Sequence, residues 1–198
     1  MKMYERTDSS FEKLRAKIIK EFAKSRRLTA MDELNIIKAC KELYSKLDDN
    51  NRKEFLKLAR ARYRDITGKE DEEKISMKWL LVLLLGYNPV TEYVYESEVT
   101  RKRERFTESI IASANKLIMI KRAMSLWLRQ TEQYLILVED AAVLEGYKTL
   151  GVKRVRWVTQ HDDRRCEECA ERHGEVYDID KVPPKPHRNC RCYLEPVE

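Results

Sequence analysis

The chain has 198 residues, 37% of them charged, and a formal net charge of +6. This length is enough for one or two domains with a hydrophobic core. Only five glycines and five prolines occur, which favours a helix-rich protein. The most apolar run, WLLVLLL at Trp79–Leu85, has seven residues, whereas a membrane-spanning helix needs about 20. We therefore predict a buried helix at this run and no membrane span.

The N-terminal part of the chain has the periodicity of several helices. Apolar residues at helical spacing predict an amphipathic helix over Phe11–Phe22. A second helix is predicted from Thr29, an N-cap with Asp32 in the capping-box position, to about Leu47. The polar run Asp48–Asn51 predicts a turn.

A third helix is expected over Arg52–Ile66, with Gly68 as its stop. A fourth is expected over Glu72–Leu85 and ends before Pro89, which cannot continue a helix.

From about Glu96 to Gly146 the apolar residues keep a helical rhythm without any proline. This pattern predicts either one very long helix or two helices joined near Arg129–Thr131. Gly151 is the expected end of this helical part, although Gly146 is an unusual residue inside it.

Beyond Gly151 the pattern changes to short strands at 152–159, 175–179 and 191–194, with Gly174 suited to a hairpin turn. We therefore predict a mainly α protein with a small C-terminal α+β module that resembles a β-hairpin. Its expected parts are an N-terminal helical region (1–88), a long helical region (89–150) and a Cys/His zinc-binding β module (151–198).

Four of the five cysteines lie in this last part, as Cys166-x-x-Cys169 and His187-x-x-Cys190-x-Cys192. Such paired thiols and a histidine predict a tetrahedral zinc site. Free thiols and disulfides are the alternatives. Residues 1–15 are charged and lack an apolar core, so we expect no signal peptide and no oxidising compartment.

Five candidate ligands compete for the four positions of the zinc site, and the spacing leaves open which one is spare. A shell filled by protein ligands favours a structural ion over a catalytic one. A sheet this small would also need such support, because it buries little apolar surface.

Other polar residues near these cysteines favour structural roles. We expect Asp162 and Arg164 to form a turn-stabilising ion pair, and His173 to pack in the loop or to bond outside the metal shell. Trp157 is expected in the core of the module, and Cys40 is expected as a buried apolar residue of a helix.

The densest basic cluster comprises Arg101, Lys102, Arg103 and Arg105. A solvated helix face and a contact with phosphate or with an acidic portal surface are the two interpretations. Residues 151–198 hold ten basic and ten acidic side chains. The surplus of positive charge therefore lies in residues 1–150, where it is compatible with DNA or acidic protein partners but identifies neither.

The C-terminal pattern resembles that of phage minor head proteins of the Mu protein F-like, SPP1 gp7-like head morphogenesis family. The resemblance covers roughly residues 90–198 and is strongest from 150 onward. Its matching positions are Trp157, Thr159, Asp162, Arg164, Cys166, Cys169, His173, Gly174, Pro184, His187, Cys190, Arg191 and Cys192.

The resemblance implies a non-catalytic component of the virion head that is present in few copies. Such a protein would bind the portal or the capsid interior, in some cases DNA, and would act in head assembly and in DNA packaging or ejection. It would reside in the host cytoplasm during assembly, and no small-molecule substrate is implied.

The alternatives are a zinc-containing nuclease and a DNA-binding protein of a phage. A nuclease would need a His-Asn-His constellation or paired carboxylates, of which His187-Arg188-Asn189 is the only trace. A DNA-binding finger would carry a positive charge, and residues 151–198 are neutral.

Overall fold

The computed structural model describes residues 11–17, 28–160 and 165–197, and it is mainly helical with a small C-terminal sheet, as predicted. Residues 11–17 form a helical segment; the remainder of the predicted first helix, to Phe22, lies outside the described residues. The elements in chain order are α1 (Ala30–Thr67), α2 (Met77–Leu85), β1 (Tyr87–Asn88), β2 (Tyr93–Val94), α3 (Tyr95–Ala112), α4 (Lys116–Thr149), β3 (Arg154–Val158), α5 (Glu167–Glu171), β4 (Val176–Asp178) and β5 (Tyr193–Val197).

The start predicted for the second helix and the stop predicted for the third are the two ends of the single helix α1. The backbone N–H of Thr29 donates to Asp32 Oδ2 (2.8 Å), and the N–H of Asp32 donates to Thr29 Oγ1 (3.2 Å). This reciprocal pair is a capping box in which aspartate takes the place of glutamate. At the other end, Gly68 has φ +71° and its N–H donates to the carbonyl of Arg64, which confirms it as the stop.

The turn predicted at Asp48–Asn51 is wrong, because α1 continues through it without a break. Asp48 forms an ion pair with Arg52 one helical turn later (3.0 Å). Asn51 is buried, and its Nδ2 donates to Thr131 Oγ1 (3.0 Å). Two of the four polar residues that indicated a turn, Asp48 and Asn51, therefore make contacts that are compatible with the helix, and tertiary packing overrides their local preference.

Helix α2 differs from its prediction in two respects. It begins at Met77 instead of Glu72, because Ser76 is the N-cap and its Oγ accepts from the N–H of Trp79. The predicted burial is also wrong for most of the run. Leu80 and Leu84 are buried, whereas Val82 is 64% exposed, so α2 covers the core with only one face.

The break in the long C-terminal helical part lies at residues 113–115 instead of the predicted 129–131. Asn115 Oδ1 accepts from the N–H of Ile118 and so caps α4. The ammonium of Lys116 donates to the carbonyls of Ile110 and Ser113 at the end of α3. The break between α3 and α4 is therefore set by side-chain caps. It could not be predicted from glycine or proline, because residues 113–115 contain neither.

Contacts between Cα atoms divide the chain into two compact units. Unit 1 comprises Met1–Glu54 and Val94–Thr131, and unit 2 comprises Phe55–Tyr93 and Glu132–Glu198. The three-part division expected from the sequence remains a prediction.

The core of unit 1 contains a chain of aromatic contacts. The ring of Tyr44 lies 5.3 Å from that of Trp127 and 6.0 Å from that of Phe106. Cys40 is fully buried in the same core. Burial raises the pKa of its thiol to about 11, so the thiol stays neutral and packs as a small apolar group, as predicted.

Unit 2 contains a three-stranded antiparallel sheet with the order β4-β3-β5. The three predicted strands are confirmed with bounds shifted by a few residues. Val155 and Trp157 point to one side of β3 and are buried with Cys169, Cys190 and Leu194. The sheet therefore presents its apolar face to the cysteine-bearing loops.

The free edge of β5 is protected from further strand pairing. Leu194 is opposite Trp157 in the ladder, and the Tyr147 hydroxyl donates to the Leu194 carbonyl (3.2 Å). Pro196 has no N–H to offer. The edge therefore lacks a backbone donor at Pro196, and its acceptor at Leu194 is already hydrogen-bonded. Such an edge is a poor template for another strand.

Candidate metal centre

The first half of the cysteine cluster is built by the short helix α5. Cys166 is the N-cap of this helix, and its Sγ accepts from the backbone N–H of Cys169 (3.3 Å). One helical turn separates the two residues, so both sulfurs lie at the same end of α5.

The second half comes from the loop between β4 and β5. Cys169 Sγ lies 3.2 Å from His187 Nε2 and 3.6 Å from Cys190 Sγ. Asn189 has φ +58°, and its backbone N–H donates to Gln133 Oε1 (3.2 Å). This left-handed residue reverses the chain between His187 and Cys190, which allows both side chains to approach Cys169.

The five predicted ligands fall into two overlapping groups that share Cys169. In each group the ligand atoms lie within 4.8 Å of one another. Cys169, Cys190 and Cys192 are buried, with exposures of 3%, 3% and 6%. The groups are Cys166, Cys169 and His187, and Cys169, Cys190 and Cys192.

The distances in this cluster fit a metal ion better than a disulfide. A disulfide requires sulfurs about 2.05 Å apart, and the Cys169–Cys190 separation is 3.6 Å. Zn–S bonds of about 2.3 Å in a tetrahedron give sulfur–sulfur edges of about 3.8 Å. All five cysteines are free, so the cluster can hold a metal ion; whether it binds one, and which ligands it uses, remain predictions.

The hydrogen bonds around the cluster also orient its ligands. His187 Nδ1 lies 2.8 Å from the carbonyl oxygen of Arg188. A carbonyl only accepts, so Nδ1 carries the proton and the lone pair of the neutral ring is on Nε2, which faces Cys169. Support of this kind from outside the metal shell is typical of metal-ligating histidines.

Two more side chains hold the backbone of the cluster. The Thr159 hydroxyl donates to the carbonyl of Cys169 (2.7 Å), and its oxygen lies 3.4 Å from Cys192 Sγ. The Lys185 ammonium donates to the Cys192 carbonyl and lies 3.4 Å from Asp140 Oδ2. Lys185 thereby connects the cluster loop to helix α4.

The surroundings of Cys169 and Cys190 favour the neutral form of their thiols. Burial is the main cause of the raised pKa of Cys169, and contacts with the neighbouring sulfurs raise this pKa further. Burial also raises the pKa of Cys190. At Cys192 burial acts in the same direction, but hydrogen bonding with Thr159 and with neighbouring groups outweighs it, and the pKa is lowered. Several thiolates this close together require a bound cation.

The neighbouring residues have the structural positions that the sequence favours. His173 Nδ1 accepts from the backbone N–H of Thr159 (3.1 Å), which holds the loop against β3. Trp157 is 1% exposed, and the Arg172 guanidinium lies 5.3 Å from its ring centroid. The predicted ion pair of Asp162 with Arg164 lies outside the described residues.

The basic cluster on α3 is directed partly towards a carboxylate of its own helix. Arg101 and Lys102 lie 3.7 and 3.6 Å from Glu98, which is 1% exposed. Arg103 lies 3.5 Å from Glu104, and Arg105 is exposed. These basic residues therefore differ in their surroundings, and their role in binding a partner remains a prediction.

Residues 101–195 match the family model described as Phage Mu protein F like protein. This region belongs to the Phage Mu protein F-like family. The resemblance noted from the cysteine pattern is thereby confirmed, and the Mu protein F-like region includes all five candidate ligands, α4 and the sheet up to residue 195. The match supports a phage head-related protein.

Neither the curated proteins nor the solved structures contain a significant match to the chain. Across the described residues, every helix is either too short or too polar to cross a lipid bilayer.

Proposed function

We propose that this protein is a non-catalytic minor component of a phage head, which binds the portal or the capsid interior. It would assist head assembly and DNA packaging or ejection. The observation that carries the proposal is the match of residues 101–195 to the Phage Mu protein F-like family. The virion head is then its destination, and the host cytoplasm is the compartment in which it is made and assembled.

Within this function, the C-terminal module of β3, α5, β4 and β5 is held by one structural zinc ion. The support is the donor set: the five candidate ligands lie in two groups that share Cys169. His187 Nε2 faces this set, and its tautomer is suited to a metal. Zinc would add to the stability of this module, because a three-stranded sheet buries only a small apolar core.

A structural role also agrees with the surroundings of the cluster. Within residues 11–17, 28–160 and 165–197, the groups of three or more potential ligands are confined to these cysteines and His187. The nitrogen Nδ1 of His173 is engaged by a backbone N–H. A nuclease would place a base or a second metal beside this centre, so we favour the structural role over the alternative of a zinc nuclease.

The test of the head function is co-purification in a defined system. The full chain is produced with the portal protein and the major capsid protein of the same phage, and assembled heads are isolated on a density gradient. We expect a few copies of the chain per head and a complex with the portal. Heads that assemble, package DNA and infect without the protein would contradict the proposal.

Metal analysis of the purified chain tests the zinc proposal separately. We expect one zinc ion per chain under reducing conditions at neutral pH, and no cleavage of plasmid DNA in the presence of magnesium. A metal-free chain that keeps a folded C-terminal module would refute the structural ion. Plasmid cleavage that disappears with the metal would favour the nuclease.

A further inference from the structure

The first half of helix α4 differs in charge from the other long helical segments. From Lys116 to Gln130 the sequence contains four basic residues and no acidic residue. Acidic side chains are also absent from the first turn of α4, although the partial positive charge of a helix N-terminus favours them there. This segment therefore concentrates positive charge without internal compensation.

Three of the four basic side chains of this segment are exposed and unpaired within the described residues; the fourth, Lys116, donates to the carbonyls of Ile110 and Ser113. In the part of the chain that the structure describes, no hydrogen bond or ion pair involves the side chains of Lys121, Arg122 or Arg129, and all three are exposed. Two arginines of α1 are ion-paired instead. Arg52 pairs with Asp48 and Arg60 pairs with Glu72, both at 3.0 Å.

Large apolar side chains are exposed on the same side of α4. Ile118 is 55% exposed, Leu117 is 40% exposed and Leu126 is 38% exposed. The opposite side of the helix is occupied by Ile120, Ala123 and Trp127, which are buried in the core of unit 1. The exposed residues define the α4 basic face: Leu117, Ile118, Lys121, Arg122, Leu126 and Arg129.

We propose that the α4 basic face is a docking surface for a protein segment that carries both acidic and apolar side chains. The charge complementarity follows from the unpaired cations, and burial of the leucines and the isoleucine supplies the apolar part of the contact. The inference rests on the proposed function, since it takes the partner to be another protein of the phage head.

The order of side chains around the helix favours a protein over DNA or lipid. At about 100° per residue, Ile118 projects between Lys121 and Arg122, and the two leucines lie at the borders of the face. A helix that lies on a membrane separates a wide apolar side from its charged side. On α4 the apolar and the basic side chains alternate around the exposed face instead. Phosphates of DNA would pair with the cations but would leave the apolar side chains uncovered.

The test uses the full chain with the photoreactive residue benzoylphenylalanine at position 118, produced together with the portal and major capsid proteins. The control carries the same probe at Val82, an exposed apolar residue of α2 that is 64% exposed. We expect a cross-link from position 118 to a segment of either protein that contains acidic and apolar residues. The control should not give this product.

Charge reversal identifies the chemistry of the contact. Lys121→Glu combined with Arg122→Glu should reduce the cross-link at least about 10-fold, whereas Lys121→Arg with Arg122→Lys should retain it. Raised salt should weaken the product in the same way. A cross-link to a segment without acidic residues, or no product above that of the control, would overturn the proposal.

The competing partners are tested with defined probes. Vesicles of anionic phosphatidylglycerol and a short DNA duplex are each mixed with the full chain and with the charge-reversed variant. If either probe binds the wild type but not the charge-reversed variant, and no protein cross-link forms, the proposal of a protein partner is wrong and lipid or DNA is the partner. If the charge-reversed variant still enters heads normally, this surface is wrong but the head function stands; if the wild-type chain is absent from heads, the head function itself fails.

Discussion

Gly146 of α4 lies directly against the side chain of Ile66 of α1. A Cβ atom added at position 146 would be 2.9 Å from both Cβ and Cγ2 of Ile66. Atoms of this kind do not approach so closely, and a β-branched side chain has little freedom to turn away. The absence of a side chain at position 146 is therefore what allows these two helical segments of unit 2 to pack closely.

The first prediction concerns this contact. Gly146→Ala should destabilise the protein by about 1–3 kcal/mol, because overpacking outweighs the better helix propensity of alanine, which is worth about 1 kcal/mol. Urea unfolding measures the effect. The double variant with Ile66→Ala serves as the control, since removal of the opposing side chain should make alanine at position 146 tolerable. A Gly146→Ala variant that is more stable than the wild type would show that the packing relaxes freely.

The second prediction concerns Glu98, the buried carboxylate of α3. Glu98→Gln should reduce the free energy of unfolding by about 1–3 kcal/mol, because Arg101 and Lys102 lose their counter-charge in partly buried positions. Glu104→Gln is the matched control on the same helix. The side chain of Glu104 is 60% exposed, and its loss should change stability by less than about 0.5 kcal/mol. Equal effects of the two substitutions on stability would argue against a structural role for the ion pairs of Glu98.

The third prediction concerns the metal. Cys169→Ser, or a strong chelator, should remove protection of the amide protons in residues 154–197 while α1 keeps its protection in hydrogen exchange. The reason is that Cys169 is common to both ligand groups, so its loss breaks each of them. Cys40→Ala is the control, because that thiol is buried in the core of unit 1 and belongs to neither ligand group. Full metal content in the Cys169→Ser variant would contradict the ligand set.

The fourth prediction concerns Asp140, which lies 3.4 Å from Lys185. Burial raises the pKa of this carboxyl from 3.8 to about 6, although Lys185 acts in the opposite direction. Between these two pKa values the folded state binds more protons than the unfolded state. Stability contributed by this group is therefore present at low pH and is lost as the pH rises to about 6. The total is at most about 3 kcal/mol, at about 1.4 kcal/mol per pKa unit.

Comparison with Asp140→Asn isolates that effect. Urea unfolding of the two metal-loaded proteins between pH 5 and pH 7 should show that the wild type loses stability, relative to the variant, as the pH increases. Protonation of metal-binding thiolates acts in the opposite direction but equally in both proteins, so it cancels in the difference. A difference that is constant with pH would show that Asp140 titrates normally.

Much of the local structure was predictable because its causes are local. The capping box of Thr29 and Asp32, the stop at Gly68 and the short strands around Trp157 depend on neighbours along the chain. The wrong turn at Asp48–Asn51 has a different origin. There the deciding contact is the bond from Asn51 to Thr131, 80 residues away, and no local pattern records it.

The candidate site shows the same contrast. Spacing alone identified the five candidate ligands, because Cys-x-x-Cys and His-x-x-Cys bring their donor atoms together within single turns of chain. Spacing did not reveal that Thr159, Lys185 and Asn189 hold these turns in place. Thr159 and Lys185 donate to backbone carbonyls outside their own turn of chain, and Asn189 has a left-handed conformation. Neither feature has a compositional signal.

The sequence by itself determined the family of residues 101–195, the mainly helical class and the membership of the cysteine cluster, since these depend on residue type and short-range order. Only the tertiary structure decided which helices are continuous and which apolar residues stay exposed. It also decided which charges are paired, because Glu98 engages its basic neighbours while Lys121 and Arg122 face solvent. Burial and pairing depend on what packs against each side chain, and that partner comes from other parts of the chain.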